Sequence, residues 1–186
     1  MDGNKTVVVY ATKYGSTKRY AEWIAKDCRA TLVANEEADI DELAKYDTVI
    51  LGGGVYAGNM MGITLIKNNR ELLKHCRLVM FAVGLTQPGD ETAFAQLLDR
   101  NFTQEERQGI RFFHFPGALD YKKMNFVQKS MMRILKKSIQ KKPKEARSQI
   151  EGYILESYGG KVDFVHYNYI KDLVQYVVSD RLTESV

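Results

Sequence analysis

Short, unbroken apolar runs recur along the chain, each bounded by turn-forming residues: Val7-Val8-Val9-Tyr10, Leu32-Val33, Val49-Ile50-Leu51, Leu78 to Val83, and Phe112-Phe113. Continuous rather than alternating runs fit strands buried on both faces, as in a parallel sheet. Segments of helical period lie between and after them. Tyr20, Ala21, Ile24, Ala25 and Cys28 make one stripe, and Ile63, Ile66, Arg70 and Leu73 trace another with one polar break. Phe94, Leu97 and Leu98 predict a third helix, and Ile170, Leu173, Val174, Val177 and Val178 a C-terminal one over about 167–179. Asn35 to Asp47 carries six acids with only Ile40, Leu43 and Ala44 to face a core, which predicts a brief helix. Five strands alternating with helices predict a doubly wound α/β sheet.

The stretch from about 120 to 160 exceeds that minimal plan. Met124, Val127, Met131, Ile134, Leu135 and Ser138 are expected to line one helical face, with lysines and Arg133 opposite. Pro143 suits the first turn of a further helix over 144–157, ended by Gly159-Gly160. The whole chain, 1–186, reads as a single domain with this helical insertion after its last strand.

Charge follows the same division. The net charge is +4, yet Tyr121 to Arg147 holds ten basic residues and one acid, so that segment is +9 and the other 159 residues sum to −5. One local basic element argues for docking to something anionic, or for a solvated helix, rather than for a nucleic-acid-binding face. The start, MDGNKTVVVYAT, runs directly into a strand and reads as carrying no secretory signal. No apolar run is long enough for a membrane-spanning helix. Cys28 and Cys76, 48 positions apart, read as small core residues in a reduced compartment. His75, His114 and His166 are too scattered to predict a metal site.

The chemistry concentrates after the first strand. Thr12-Lys13-Tyr14-Gly15-Ser16-Thr17 lies where a strand's carboxyl end meets a helix start, the place where α/β sheets bind ligands. Three hydroxyls, a glycine and the free N–H groups of a helix N-terminus suit a phosphate. The alternative is a plain loop in which Ser16 caps the helix. No G-x-S-x-G pentad is present, and no general acid, base or nucleophile is assigned.

T-x-x-G-x-T in this position resembles the FMN phosphate loop of flavodoxins. Two further segments fall where that family places its isoalloxazine loops: Gly52-Gly53-Gly54-Val55-Tyr56-Ala57-Gly58-Asn59, and Val83-Gly84-Leu85-Thr86-Gln87-Pro88-Gly89-Asp90. The resemblance implies a flavodoxin-like sheet of order 2-1-3-4-5 with FMN as cofactor. It implies that Tyr56 stacks on the flavin, with Gly54, Val55, Ala57 and Gly58 shaping the wall. Gly84, Leu85 and Thr86 would then meet the ring's polar edge, and Lys13 would add charge near the phosphate.

The run Phe115-Pro116-Gly117-Ala118-Leu119-Asp120-Tyr121, followed by the basic Met-rich helix, resembles the flavodoxin-like protoporphyrinogen oxidases of bacteria. That branch implies a quinone acceptor, a tetrapyrrole donor and two-electron chemistry, with Gly117, Ala118 and Leu119 closing the pocket. Consistent with it, no acid occurs between Asp47 and Glu71 to oppose an anionic reduced flavin. The basic helix over 122–142 would touch the inner face of a membrane from the cytoplasm. The alternatives are a one-electron carrier serving protein partners and a cofactor-free interaction module.

Overall fold

The computed structural model describes residues 5–85, 89–147, 149–156 and 158–183. In chain order the elements are β1 (Thr6–Ala11), α1 (Ser16–Asp27), β2 (Thr31–Ala34), α2 (Ile40–Leu43), β3 (Thr48–Tyr56), β4 (Asn59–Met60), α3 (Ile63–Lys67) and β5 (Arg77–Gly84). They continue with α4 (Glu91–Asn101), α5 (Gln104–Arg107), β6 (Ile110–Pro116), β7 (Ala118–Asp120), α6 (Phe126–Lys141), α7 (Gln149–Glu156), β8 (Lys161–Asp163) and α8 (Lys171–Thr183). The chain divides into two compact units, Met1–Pro116 with Val165–Val186, and Gly117–Phe164.

The first unit is the parallel sheet, ordered β2-β1-β3-β5-β6. Counting only its five parallel strands, this is the expected 2-1-3-4-5 order. Successive residues point to opposite faces, and both faces are covered. On one face Val7, Val9, Val49, Leu51, Leu78, Met80 and Ala82 belong to a core with Leu43, Ile66, Leu73, Leu97 and Phe102. Fully burying an aliphatic side chain of this kind contributes roughly 1.5–3 kcal/mol. Across the sheet, the Tyr20 ring of α1 lies 5.0 Å from Phe115, whose own ring is 5.4 Å from Phe81. The buried Tyr20 hydroxyl donates to the Pro116 carbonyl at 2.8 Å and accepts from the His166 N–H at 3.3 Å. It thereby joins the point where the chain leaves this unit to the point where it returns.

Two elements differ from the sequence expectation. The helix predicted through Ile63, Ile66, Arg70 and Leu73 stops at Lys67 and continues as turns, although Ile66 and Leu73 are both buried. Asn69 turns its side-chain amide back to the Leu65 carbonyl at 2.9 Å, a local bond that competes with the helical ladder. The third strand does not end at Leu51 but runs on through three glycines to Tyr56.

In the second unit, β7 and β8 pair antiparallel as Ala118↔Asp163, Leu119↔Val162 and Asp120↔Lys161. The Phe164 N–H donates to the Gly117 carbonyl at 3.2 Å, closing the neck of the segment. α6 starts with a reciprocal cap: the Gln128 N–H donates to the Asn125 side chain at 2.9 Å, and the Asn125 N–H to the Gln128 side chain at 2.7 Å. The buried line of the helix is Gln128, Met132 and Ile139. The stripe through Val127, Met131 and Ile134, expected to share one apolar face with Leu135, faces outward instead. At the far end the Arg147 guanidinium donates to the carbonyls of Ile139, Gln140 and Lys142, satisfying the last turn. Pro143 precedes a short 3-10 turn, Lys144–Ala146, and the helix predicted from 144 begins at Gln149. Among the described residues no helix is long and apolar enough to cross a membrane.

Candidate functional site

At the carboxyl end of β1, the Thr12 hydroxyl accepts from the Gly15 N–H at 3.0 Å and closes the loop. Gly15 sits at φ +91, a left-handed conformation that an L side chain would strain. It also occupies the N-cap position of α1, where it has no side chain with which to cap the helix. Ser16 is therefore the first helical residue, not the cap, and the cap residue itself supplies no side-chain bond to the first turn. Those N–H groups and the helix dipole form a cradle for an anion. Thr17 is buried, and its Oγ1 lies 3.1 Å from where a Cβ on Gly54 would stand. Only a residue without a side chain leaves that hydroxyl its place.

Beyond Gly54 the strand reverses through Ala57 and Gly58, with φ of +52 and +77. The return strand pairs Val55↔Met60 and Tyr56↔Asn59, so a two-residue hairpin carries Tyr56. Asn101, buried at the end of α4, holds this hairpin. Its Oδ1 accepts from the Met60 N–H at 2.8 Å, and its Nδ2 donates to the carbonyls of Gly58 at 2.9 Å and Leu97 at 2.8 Å. The Lys13 ammonium lies 4.1 Å from the Tyr56 ring centroid and 5.8 Å from that of Tyr14. The Thr12–Thr17 loop and the aromatic hairpin therefore meet within one side chain's reach in the first unit.

Gly84 ends β5 and Leu85 follows it at the adjacent strand end; Thr86 lies outside the described residues. Asp90 accepts from the Ala93 N–H at 2.9 Å and so caps α4. His114, on β6 opposite Ala82, stacks on Phe94 of α4 with centroids 5.4 Å apart. Its Nε2 is buried without a hydrogen-bond partner, 3.9 Å from where a Cβ on Gly84 would lie. Burial pushes this imidazole down to about 4 from an ordinary 6.5, against a smaller opposing pull from the Asp90 carboxylate. Gly117, Ala118 and Leu119 belong to the second unit, where they open the β7–β8 ribbon.

Sequence reading missed Asn101 and His114. An asparagine ending a helix looks like an ordinary terminal residue, and a lone strand histidine carries no motif. Both acquire their roles from segments some 30 or more positions away.

The residues present fit a phosphate monoester joined to a flat ring. The N–H groups of a helix start with glycine at its cap, together with the hydroxyls of Thr12, Ser16 and Thr17, suit the phosphate, and Tyr56 offers a planar face beside them. A model of the family described as "Flavodoxin domain" matches residues 7–147, more than half of the chain. Similar solved structures include a flavodoxin from the domain Archaea, 16% identical, covering 60% of this chain and 84% of that one with a TM-score of 0.39. A WrbA-like flavodoxin from Agrobacterium tumefaciens is 20% identical over 60% of this chain and 83% of that one, TM-score 0.39. The flavodiiron protein from Giardia intestinalis is 17% identical over 97% of this chain and 37% of its own, TM-score 0.45. No curated protein matches. The chain belongs to the flavodoxin domain family, and FMN is its cofactor.

Proposed function

We propose that this chain is an FMN-bearing carrier that exchanges single electrons with protein partners in the cytoplasm. The observation that carries the reading is the meeting of the Thr12–Thr17 loop with the Tyr56 hairpin at the carboxyl edge of the sheet. No side chain there is assigned to acid–base or nucleophilic work, so the redox chemistry is what FMN supplies when bound. Thr12, Ser16, Thr17 and the first turn of α1 hold its phosphate. Lys13 lends a screened positive charge, Tyr56 stacks, and Gly54, Val55, Ala57 and Gly58 form the wall. Gly84 and Leu85 offer backbone groups to the ring's polar edge. Glu36 and Glu37, exposed directly after β2 on the same edge, supply anionic groups for a protein partner to recognise.

A second reading makes the chain a two-electron, protoporphyrinogen-oxidase-like enzyme with a quinone acceptor and a tetrapyrrole donor. It is favoured by the absence of any acid between Asp47 and Glu71, the span holding the stacking hairpin, and by the basic segment of the second unit. Contact of residues 122–142 with the membrane surface belongs to it, because quinones partition into the bilayer.

Anaerobic stepwise reduction followed by visible absorbance separates the two. Accumulation of a one-electron-reduced state supports the carrier. Passage straight to the two-electron form supports the enzyme, and quinone reduction assays then follow. Absence of flavin bands after FMN is added overturns both.

A further inference from the structure

We infer that the outward face of α6 seats this protein on an anionic lipid surface. The inference deepens the membrane-contact part of the proposed function but stands on the second unit alone. α6 has more apolar surface than its unit covers. The inward line is Gln128, Met132 and Ile139, all buried, with Gln128 also bonded in the Asn125 cap. A second line, Val127, Met131 and Ile134 at i, i+4 and i+7, is left 60%, 40% and 69% exposed, and Phe126 beside it is 82% exposed. Scattered exposed apolar residues need no explanation, but four large ones on one sixteen-residue helix form a patch.

The charges around the patch are of one sign. Lys137 and Lys141 are exposed on the same helix, which contains no acid. Lys129, Arg133 and Lys136 differ: the ammonium groups of Lys129 and Lys136 lie 5.7 Å and 3.9 Å from the ring centroids of Tyr121 and Tyr158, and the Arg133 charge acts on the Tyr121 hydroxyl, inside the unit. The outward face therefore combines unpartnered apolar side chains with cations only.

That combination selects the occupant. A second copy docked face to face would bring Lys137 and Lys141 toward their own equivalents, with no acid on the helix to receive them. An anionic bilayer meets both demands. Its acyl boundary accepts Phe126, Val127, Met131 and Ile134, and its headgroup phosphates accept the cations, whose long stems let the charge stay in the wet layer. The contact is peripheral, at the depth an interfacial helix reaches.

Vesicle co-sedimentation of the full chain tests this, comparing phosphatidylcholine vesicles with vesicles containing about a third phosphatidylglycerol at low and high salt. Binding is expected to the anionic vesicles only and to weaken as salt rises. The double variant Met131→Glu/Ile134→Glu, at exposed positions, is expected to lose about tenfold in partitioning with unchanged circular dichroism. Lys137→Glu/Lys141→Glu is expected to lose the preference for anionic lipid. The proposal is overturned if the chain ignores anionic vesicles, or if the Met131/Ile134 variant binds them as before. It is equally overturned if that variant instead abolishes a concentration-dependent self-association. Because neither flavin nor quinone enters the assay, a colourless chain that binds vesicles defeats only the FMN reading. A yellow chain that ignores them defeats only this one.

Discussion

Gly54 lacks a side chain where Thr17 needs the room. A Cβ there would stand 3.1 Å from the Thr17 Oγ1 and 3.5 Å from the Ala11 carbonyl, so Gly54→Ala must push the hydroxyl away from the cradle. Impairing one hydrogen bond to a charged phosphate costs about 1 kcal/mol, which predicts roughly fivefold weaker FMN binding. Riboflavin, which has no phosphate, should bind nearly as before; equal losses for both in fluorescence titrations would place Thr17 outside the phosphate site. His114 yields a prediction of the opposite kind, about pH. Its folded-state value of about 4 lies below the ordinary 6.5, so the unfolded chain binds this proton more readily. Its contribution to stability is therefore complete above the unfolded value and declines as pH falls from there toward the folded value. Between about pH 7 and about pH 5 the loss amounts to roughly 2 kcal/mol. His114→Phe should flatten the urea midpoint over that interval relative to the parent chain.

Elements are held by partners that local pattern does not reveal. The Tyr56 hairpin turns on Ala57 at φ +52, a position where a two-residue turn of this hand prefers asparagine or glycine. Ala57→Asn is accordingly predicted to stabilise the chain by about 0.5–1 kcal/mol in thermal or urea unfolding, with FMN binding retained. Asn101 pins the same hairpin through Met60 and Gly58. Asn101→Leu strands a buried N–H and should cost about 2–4 kcal/mol. If Asn101 also positions Tyr56, the variant will show reduced quenching of bound FMN fluorescence even where it remains folded; normal quenching would reduce its role to stability. The register of α6 carries the same lesson. Apolar periodicity located the helix, but packing of Gln128, Met132 and Ile139 decided which half of a wide apolar arc turned inward.

At the scale of the molecule, charge and architecture coincide. Gly117–Phe164 carries eleven basic and five acidic residues, so the remaining chain is −2 while the whole is +4. The segment leaves and rejoins the sheet unit at points bound to one hydroxyl, that of Tyr20. Replacing Gly117–Phe164 by a short Gly/Ser linker is thus predicted to leave a folded, mildly acidic protein that still takes up FMN. The Thr12–Thr17 loop and Gly54–Gly58 hairpin both lie in the part retained. Flavin titration of that variant also measures the share of Gly117, Ala118 and Leu119 in binding.

Fold class and the Thr12–Thr17 strand-to-helix junction were legible in the residues because each rests on information local to the chain, and strand order followed from the resemblance those loops carry. Buried parallel strands announce themselves as short apolar runs, and a strand–Thr–Gly–Thr–helix junction is written in consecutive positions. The clamp on the Tyr56 hairpin, the orphaned imidazole of His114 and the outward stripe of α6 were not legible. Each depends on which side chain arrives from a distant segment, or on which part of a helix's apolar arc is covered where that arc is wider than the surface available to bury it. Hydrophobic burial specifies that such an arc will be partly covered; only the packed neighbours settle which part stays outside.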